Sequence, residues 1–225
     1  MENKPKISVL IPCYEQAQYL QDAIESVLKQ TIKPHEIIVI SDGSPDNTSE
    51  IVKQYPVKYI EQVNKGLPSA RNTGIMNATG DWILPLDADD MMMENCIERV
   101  SKFIETTGAD IIAPSFKEFG VRDNTIILME NPTFEDFMSA NRIGYFSAIR
   151  KDALLEIGGY SPKMLWGWED YHLWFDLLSR GKKIFTIPEV LILYRVKENS
   201  MINESNKHAS ELWTQIDKDF PGNFT

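Results

Sequence analysis

The sequence is poor in cysteine. Cys13 and Cys96 are the only two among 225 residues, and they form no CxxC pair. Two isolated cysteines are typical of plain thiols rather than of a disulfide framework. We therefore expect free thiols and a reducing, cytoplasmic setting.

Positive charge is also scarce. The chain has 23 Lys and Arg residues against 33 Asp and Glu residues, which gives a formal net charge of -10. This argues against sequence-independent binding to DNA or RNA, because a polyanion is bound through a basic surface. We expect no nucleic-acid partner. A phosphate-bearing small ligand stays possible, since one metal ion can reverse the local field.

Long apolar runs are missing as well. No run reaches the ~18 residues of a membrane span, and the N-terminal MENKPKISVL lacks the apolar core of a signal peptide. We expect no transmembrane segment, while peripheral association with a membrane stays open. The length and the 43% apolar content suit one globular domain, residues 1–225.

Short apolar runs alternate with helical spacing in the first half of the chain. We predict helices from about residue 20, at 49–55 and at 67–77, and strands at 7–12, 36–41, 57–62 and 82–86. Strands that are apolar on both faces and alternate with helices indicate a mostly parallel sheet covered by helices. The predicted fold class is therefore α/β.

The strand ends of such a sheet predict a site. Ligands of open parallel sheets bind beyond the carboxyl ends of the strands. Tyr14, Asp42 and Asp87 each follow a predicted strand. We therefore expect these three side chains to converge on one crevice.

The second half of the chain is less regular. We predict helices at 94–106, 134–141, 169–180 and 204–219, strands at 111–114, 184–187 and 190–196, and a hairpin at 117–129 with its turn at 122–124. No repeat, low-complexity tract or linker divides the chain, so we expect one domain.

An acidic turn follows the fourth predicted strand. The segment WILPLDADDMMM contains Asp87, Asp89 and Asp90, and carboxylates so close together repel one another. An EF-hand calcium loop fits poorly, because Met91 and Met92 stand where an oxygen ligand and a glycine are needed. An aspartyl phosphatase usually carries its Asp-x-Asp on the first strand. A Mg²⁺ or Mn²⁺ site for a nucleotide diphosphate and a solvated turn that caps the next helix both stay open.

Four segments in a fixed order favour the metal-nucleotide interpretation. They are SVLIPCYEQAQYLQDAIESVLKQT, IIVISDGSPDNT, NKGLPSARNTGIMNATGDWILPLDADD and GWEDYHLWFDLLSRG. Together they strongly resemble the family 2 glycosyltransferases, from Ile7 to about Met201. The resemblance implies a GT-A fold, in which a Rossmann-like, mostly parallel central sheet is flanked by helices and joined by a small acceptor-side subregion. It implies a nucleotide-binding half at about 1–107 and an acceptor-side half at about 108–225.

The resemblance also implies the members of a nucleotide site. Tyr14 would cover the base with its ring, and Asp42 would accept the N3–H of uracil or thymine. Arg71 would contact the base or hold Asp87 in place. The whole implied set is Pro12, Tyr14, Glu15, Asp42, Lys65, Gly66, Arg71, Asp87 and Ala88.

A divalent metal is implied next to this site. Asp87 and Asp89 match the family's Asp-x-Asp motif, so Asp89 would bind Mn²⁺ or Mg²⁺, while the role of Asp90 stays open. Family members often read Tyr-Arg-x-His farther along, where this chain has Lys197 after YRV. The histidine ligand is therefore not expected there, and Lys197 would instead touch the diphosphate. His208 is a weaker alternative ligand.

The motif GWEDYHLW carries a second carboxylate pair. Asp170 matches the family's catalytic base and Glu169 its acidic neighbour. Inverting transfer needs a base on the acceptor hydroxyl, opposite the leaving diphosphate, and a helix start favours an anion. Trp166, Trp168 and Glu169 are the candidate acceptor contacts. Without the other motifs, the two acids would simply cap a helix.

These features predict an inverting glycosyltransferase. It would move a hexosyl or N-acetylhexosaminyl group from a nucleotide-diphosphate sugar, with a UDP-sugar expected, to a saccharide or lipid-linked saccharide in bacterial cell-surface polysaccharide or glycoconjugate synthesis. A nucleotidyltransferase is the first alternative, but PCYEQAQ has no glycine-rich loop after the first strand. A sugar-nucleotide-binding module without turnover is the second, and the presence of Glu169 and Asp170 argues against it.

Overall fold

A computed structural model describes residues 4–198 and 205–221. The strands are β1 (Ile7–Cys13), β2 (Glu36–Asp42), β3 (Lys58–Gln62), β4 (Trp82–Pro85), β5 (Met91–Met92), β6 (Ile111–Gly120), β7 (Thr125–Ile126), β8 (Ala148–Arg150) and β9 (Ile184–Val196). The helices are α1 (Ala17–Leu28), α2 (Thr48–Val52), α3 (Leu67–Asn77), α4 (Cys96–Thr107), α5 (Phe134–Phe137), α6 (Lys151–Ile157), α7 (Glu169–Ser179) and α8 (Ala209–Asp219).

The strands form one central sheet. Its order is β3-β2-β1-β4-β8-β6-β9-β5, and β7 pairs with β6. The strands β3, β2, β1 and β4 run parallel, as do β6 and β9. The antiparallel strand β8 lies between these two parallel groups. The α/β class is confirmed, and β8 is the link that the sequence did not reveal.

The hydrophobic core lies on both faces of this sheet. Val9 and Ile11 of β1 pack on one face with side chains of α1 and α4. Leu10 belongs to the other face, with side chains of α3, α6 and α7. Every residue of β1 is buried, because helices cover both faces. This is why the strand is almost entirely apolar, with the buried Ser8 as its polar exception.

Two of the predicted breaks are absent from the structure. The strand expected at 111–114 and the first arm of the expected hairpin form the single strand β6, and the two strands expected at 184–187 and 190–196 form β9. Between them the register jumps, because Pro114 faces Ile187 while Ser115 faces Val190. Pro188 and Glu189 therefore belong to a bulge inside β9, which interrupts the sequence pattern but not the strand.

Several other elements differ from the prediction. The second arm of the hairpin is only the two-residue β7, and α5 ends at Phe137. The strands β5 and β8 and the helix α6 were not predicted. The predicted C-terminal helix is helical at 205–207, turns at His208 and continues as α8, while Glu204 and Met201 lie outside the described residues.

Both cysteines are free, as expected, and both are buried. The thiol of Cys96 is fully enclosed, and burial raises its pKa to about 12. Within the described ranges, no helix combines the length and the apolar content that crossing a membrane requires.

Candidate active site

A cavity of about 790 Å³ lies beyond the carboxyl ends of β1, β2 and β4. Tyr14, Asp42 and Asp87 all line it, so the expected convergence of these side chains is confirmed. Eleven of the expected site residues take part in the lining: Pro12, Tyr14, Asp42, Gly66, Arg71, Asp87, Ala88, Asp89, Trp168, Glu169 and Asp170.

Three expected site residues lie outside the lining of this cavity. Lys65 is exposed and donates its main-chain N–H to Asp42. Glu15 is exposed, has a positive φ of 53° and donates its main-chain N–H to the Ser44 hydroxyl. Trp166 is 45% exposed and stacks on the His208 ring, with the ring centroids 4.3 Å apart. Any ligand contact of these three remains a prediction.

Asp42 organises the loop that precedes α3. This buried carboxylate accepts hydrogen bonds from the Gln62 amide at 2.7 Å, from the Lys65 N–H at 2.9 Å and from the Gly66 N–H at 2.8 Å. A carboxylate has about four acceptor positions. The three hydrogen bonds therefore use most of these positions, and a nucleotide base would have to bind at the one that remains.

Gly66 is needed at the start of α3 for its backbone conformation. Its φ of 87° and ψ of 162° belong to a region that is essentially restricted to glycine. A Cβ added there would meet only Leu165 and Pro68, both at an ordinary 3.8 Å. The backbone dihedral angles, rather than a shortage of space for a side chain, are therefore the reason for a glycine at this position.

Arg71 joins the two carboxylate pairs. Its guanidinium is buried and donates to Asp87 at 2.8 Å and to Glu169 at 2.6 Å. It also lies 4.8 Å from the centroid of the Tyr145 ring. Of the two roles that the sequence left open, this geometry favours holding Asp87 over contacting a base. Burial raises the pKa of Asp87 to about 6, against the opposing charge of Arg71.

Asp90 is a buried anchor of the acidic turn. One of its oxygens accepts the Tyr145 hydroxyl, and the other accepts the Arg195 main-chain N–H at 2.6 Å. The same Tyr145 oxygen accepts the Asp87 N–H at 3.0 Å. Burial raises the pKa of Asp90 well above its ordinary value. These bonds give Asp90 a structural role that the sequence left open.

Asp89 is paired with a lysine. Its Oδ2 lies 2.6 Å from the Lys197 Nζ, and both residues line the cavity. Asp87 is engaged by Arg71, and Asp90 is engaged by Tyr145. In the part of the chain that the structure describes, no three Cys, His, Asp or Glu side chains gather to hold a metal ion. The described side chains therefore do not fit a preformed divalent site.

Asp170 lies in the first turn of α7 and faces the same cavity. It accepts hydrogen bonds from the Asn141 amide at 2.9 Å and from the Tyr171 N–H at 2.7 Å. Burial and, after it, the neighbouring Glu169 charge raise its pKa to about 7, against the opposing charge of Arg71. A carboxylate that titrates near neutral pH suits general-base chemistry.

The start of α7 is abrupt. Trp168 has a left-handed conformation with a φ of 59°, directly after Gly167 with a φ of 110°. The Trp168 ring packs edge-on against Trp213 of α8 at 5.5 Å and lines the cavity. Glu169 is buried and tied to Arg71, which favours a positioning role over an acceptor contact.

Three functional candidates were not found by sequence reasoning. Tyr145, Asn141 and Arg195 all line the cavity and bind the acidic residues described above. Arg195 lies in the YRVK stretch that the family pattern marks. Tyr145 and Asn141 lie in a segment without a recognisable motif, so no signal in the sequence pointed to them.

The family model described as Glycosyl transferase family 2 matches residues 8–172. The chain belongs to this family. An uncharacterized glycosyltransferase of Haemophilus influenzae is 32% identical over 219 residues, which is 88% of this chain and 78% of that protein. The putative teichuronic acid biosynthesis glycosyltransferase TuaG of Bacillus subtilis is 28% identical over 93% of this chain and 86% of its own length.

Glycosyltransferase GlyA of Streptococcus pneumoniae is a much longer relative. It is 28% identical over 93% of this chain, but the match spans only 32% of GlyA.

Two solved structures share the architecture of this family 2 chain. S. aureus TarS 1–349 in complex with UDP-GlcNAc superposes with a TM-score of 0.81 at 18% identity, over 96% of this chain and 67% of TarS. The mannosyltransferase PcManGT from Pyrobaculum calidifontis, in complex with GDP-Man and Mn²⁺, gives 0.76 at 18% identity, over 96% of this chain and 65% of its own. These likenesses confirm the predicted GT-A fold.

Proposed function

We propose that this family 2 chain transfers a sugar, with inversion, from a nucleotide-diphosphate sugar to an acceptor hydroxyl. One observation carries the proposal: Asp170 shares a single cavity with the Asp87–Asp89 turn, and Arg71 connects the two groups. A displacement with inversion needs a base and a leaving group on opposite sides of one carbon. This cavity holds a candidate general base, Asp170. It also has strand ends at which the nucleotide diphosphate, the leaving group, would bind.

Asp170 is the proposed general base. As the acceptor oxygen attacks the anomeric carbon, its proton passes to the Asp170 carboxylate. The new carbon–oxygen bond forms on one face of the sugar, and the bond to the diphosphate breaks on the other, with its electron pair leaving on the nucleoside diphosphate. The Asn141 amide, 2.9 Å from Oδ2, orients the carboxylate. The product therefore has the opposite anomeric configuration to the donor.

The proposed donor is a UDP-sugar, and the transferred group is a hexosyl or N-acetylhexosaminyl unit. The UDP-GlcNAc bound to TarS supports this choice, whereas the GDP-Man bound to PcManGT shows that base selection has to be measured. In our proposal Tyr14 covers the base, and the acceptor position left on Asp42 takes the N3–H of uracil. A polar site of this type rejects a base that leaves its partner unpaired.

The proposed acceptor is a saccharide or a lipid-linked saccharide of a cell-surface polysaccharide or glycoconjugate. The name of TuaG, a relative that covers nearly the same span, supports this context. The cytoplasmic setting stays a prediction. A divalent ion, Mn²⁺ or Mg²⁺, also stays a prediction: the Mn²⁺ in PcManGT supports it, and the pairing of Asp89 with Lys197 does not.

Donor turnover and product stereochemistry test the proposal. We expect the full chain to release UDP from at least one UDP-sugar in the presence of saccharide acceptors, and the NMR coupling of the anomeric proton to show inversion. Asp170→Asn should lower the rate about 10²–10⁴-fold with UDP affinity nearly unchanged. The matched control is Asp81→Asn, an exposed acid before β4, which should keep the wild-type rate.

Two results would overturn the proposal. Wild-type transfer by Asp170→Asn would reduce Asp170 to a helix cap, and retention of configuration would exclude a single displacement. Tighter binding of GDP than of UDP and dTDP would overturn the base assignment alone.

A further inference from the structure

The acidic turn faces a positive charge of the chain itself. The Lys197 ammonium lies 2.6 Å from Asp89 Oδ2, directly after the end of β9. The side chains of both residues are partly buried, with 28% of Lys197 and 12% of Asp89 exposed. Both line the cavity in which the diphosphate of the proposed donor would lie. The ammonium therefore reaches the site from the end of β9, which belongs to the acceptor-side half of the chain.

The position of Lys197 is held by its strand. Two residues earlier, Arg195 donates its main-chain N–H to Asp90 at 2.6 Å and its Nε to the Asp89 carbonyl oxygen at 2.9 Å. The Arg195 guanidinium also lies 4.5 Å from the Tyr19 ring centroid and 4.4 Å from that of Phe119. The end of β9 is thus fixed directly to the acidic turn. The main chain that carries Lys197 is therefore fixed next to Asp89 by these contacts.

Among the described residues, one cation near the turn stays open to a ligand. Arg71 is engaged by Asp87 and Glu169 from a fully buried position. Arg195 is directed at the Asp89 carbonyl and lies between two aromatic rings. Lys197 keeps a partly exposed ammonium at the cavity, and an ammonium has three donor hydrogens. It can therefore bind Asp89 and a phosphate oxygen at the same time.

A divalent ion would need the same carboxylate. Among residues 4–198 and 205–221, no cluster of three ligating side chains forms around Asp89, and its Oδ2 is already neutralised by Lys197. We infer that Lys197 is the resident positive charge for the nucleotide diphosphate, so that the donor binds without a divalent metal. This inference rests on the proposed function, since it names the group that meets the diphosphate of that donor.

Calorimetry on the full chain tests the inference. UDP, uridine and inorganic pyrophosphate are titrated in EDTA and again with Mn²⁺, into wild type, Lys197→Met and the control Lys53→Met. Lys53 is exposed after α2, outside the cavity lining. We expect wild type and Lys53→Met to bind UDP and pyrophosphate in EDTA, with Mn²⁺ changing the affinity less than about threefold.

Lys197→Met should lower the affinity for ligands that carry a diphosphate and leave the affinity for the nucleoside unchanged. A hydrogen bond to a charged group contributes about 1.5–3 kcal/mol, so Lys197→Met should weaken UDP and pyrophosphate in EDTA by about 10–100-fold. Uridine binding should be unchanged. Mn²⁺ should recover part of the loss, because Asp89 is then free to bind it. Asp89→Asn, which keeps the ammonium and removes the carboxylate that competes for it, should bind UDP in EDTA at least as tightly as wild type.

The opposite pattern would overturn the inference and leave the proposed function standing. It consists of UDP and pyrophosphate binding only with Mn²⁺, and of equal affinities for wild type and Lys197→Met. If neither UDP nor pyrophosphate binds under either condition, the inference fails, and the UDP-sugar assignment of the proposed function fails with it. If Lys197→Met does not fold by circular dichroism, Asp89→Asn decides. Loss of UDP binding in EDTA by Asp89→Asn would overturn the role of Lys197. So would a requirement for Mn²⁺ that wild type shows and Asp89→Asn has lost.

Discussion

Arg71 donates one hydrogen bond to Asp87 and another to Glu169, a residue 98 positions farther along the chain. The first carboxylate follows β4 and the second begins α7. The guanidinium itself is buried, while Asp87 keeps part of its side chain exposed at the cavity. The two halves of the cavity are thus connected by a single side chain.

Arg71→Lys tests this connection. A lysine has one nitrogen and cannot satisfy two carboxylates in the geometry of a guanidinium, so one buried acid would be left unpaired. Breaking a buried pair costs about 3–5 kcal/mol. We expect a loss of this order in the free energy of unfolding, measured by urea denaturation. Arg99→Lys, which alters the partly exposed pair with Glu189, should lose far less, and equal losses would contradict the special role of Arg71.

The transfer rate should depend on pH through Asp170. Its carboxyl must be ionised to accept a proton, and its pKa is raised to about 7. We expect kcat/KM to fall about tenfold for each pH unit below 7 and to level off above it. The check is a rate profile of wild type beside Asp81→Asn, which should have the same profile. A rate independent of pH from about 5 to about 8 would argue against Asp170 as the base.

Asp170 should also lower the stability of the folded chain at high pH. The folded carboxyl keeps its proton up to about pH 7, whereas an unfolded aspartate releases its proton near pH 4. The folded state binds more protons between these values, so this group's contribution falls as the pH rises through the window. Asp170→Asn should therefore be more stable than wild type at about pH 8 and equal to it at about pH 4. Urea unfolding at both values measures this difference, and a mutant that is less stable at the higher pH would reverse the sign.

Gly66→Ala should destabilise the chain by about 1–3 kcal/mol, because its φ and ψ are essentially restricted to glycine. Its Cβ has room, so strain in the backbone is the cause. Gly108→Ala is the matched control. It has a φ of 64° and a ψ of 16°, which lie in the ordinary left-handed region, and no atom lies within 4 Å of its added Cβ. We expect a smaller loss for Gly108→Ala by thermal denaturation, and the reverse order would contradict the conformational explanation.

The parallel half of the sheet was predictable from sequence because its signal is local. The strands β1, β2 and β4 are apolar on both faces, and Asp42 and Asp87 lie at or just past the carboxyl ends of their strands, which places them at one edge of the sheet. Topology alone then brings these side chains together. This prediction did not depend on how far apart the motifs lie in the sequence.

The remaining part depends on contacts between distant segments. The short strand β8 exists because Ile149 fits between β4 and β6, and three residues leave no periodic pattern. Tyr145 acquires its role only through Asp87 and Asp90. The bulge in β9 interrupted an apolar pattern that would otherwise have predicted one long strand.

One helix supports both ends of the proposed reaction. The N–H of Gly66, just before α3, is held by Asp42, and Arg71 within α3 holds Glu169 beside Asp170. The proposed pocket for the nucleotide base therefore lies near the start of α3. The proposed general base, Asp170, is linked to the side of the same helix through Glu169 and Arg71. A substitution that tilts α3 would disturb donor affinity and transfer rate together, and neither step could be tuned by this helix without changing the other.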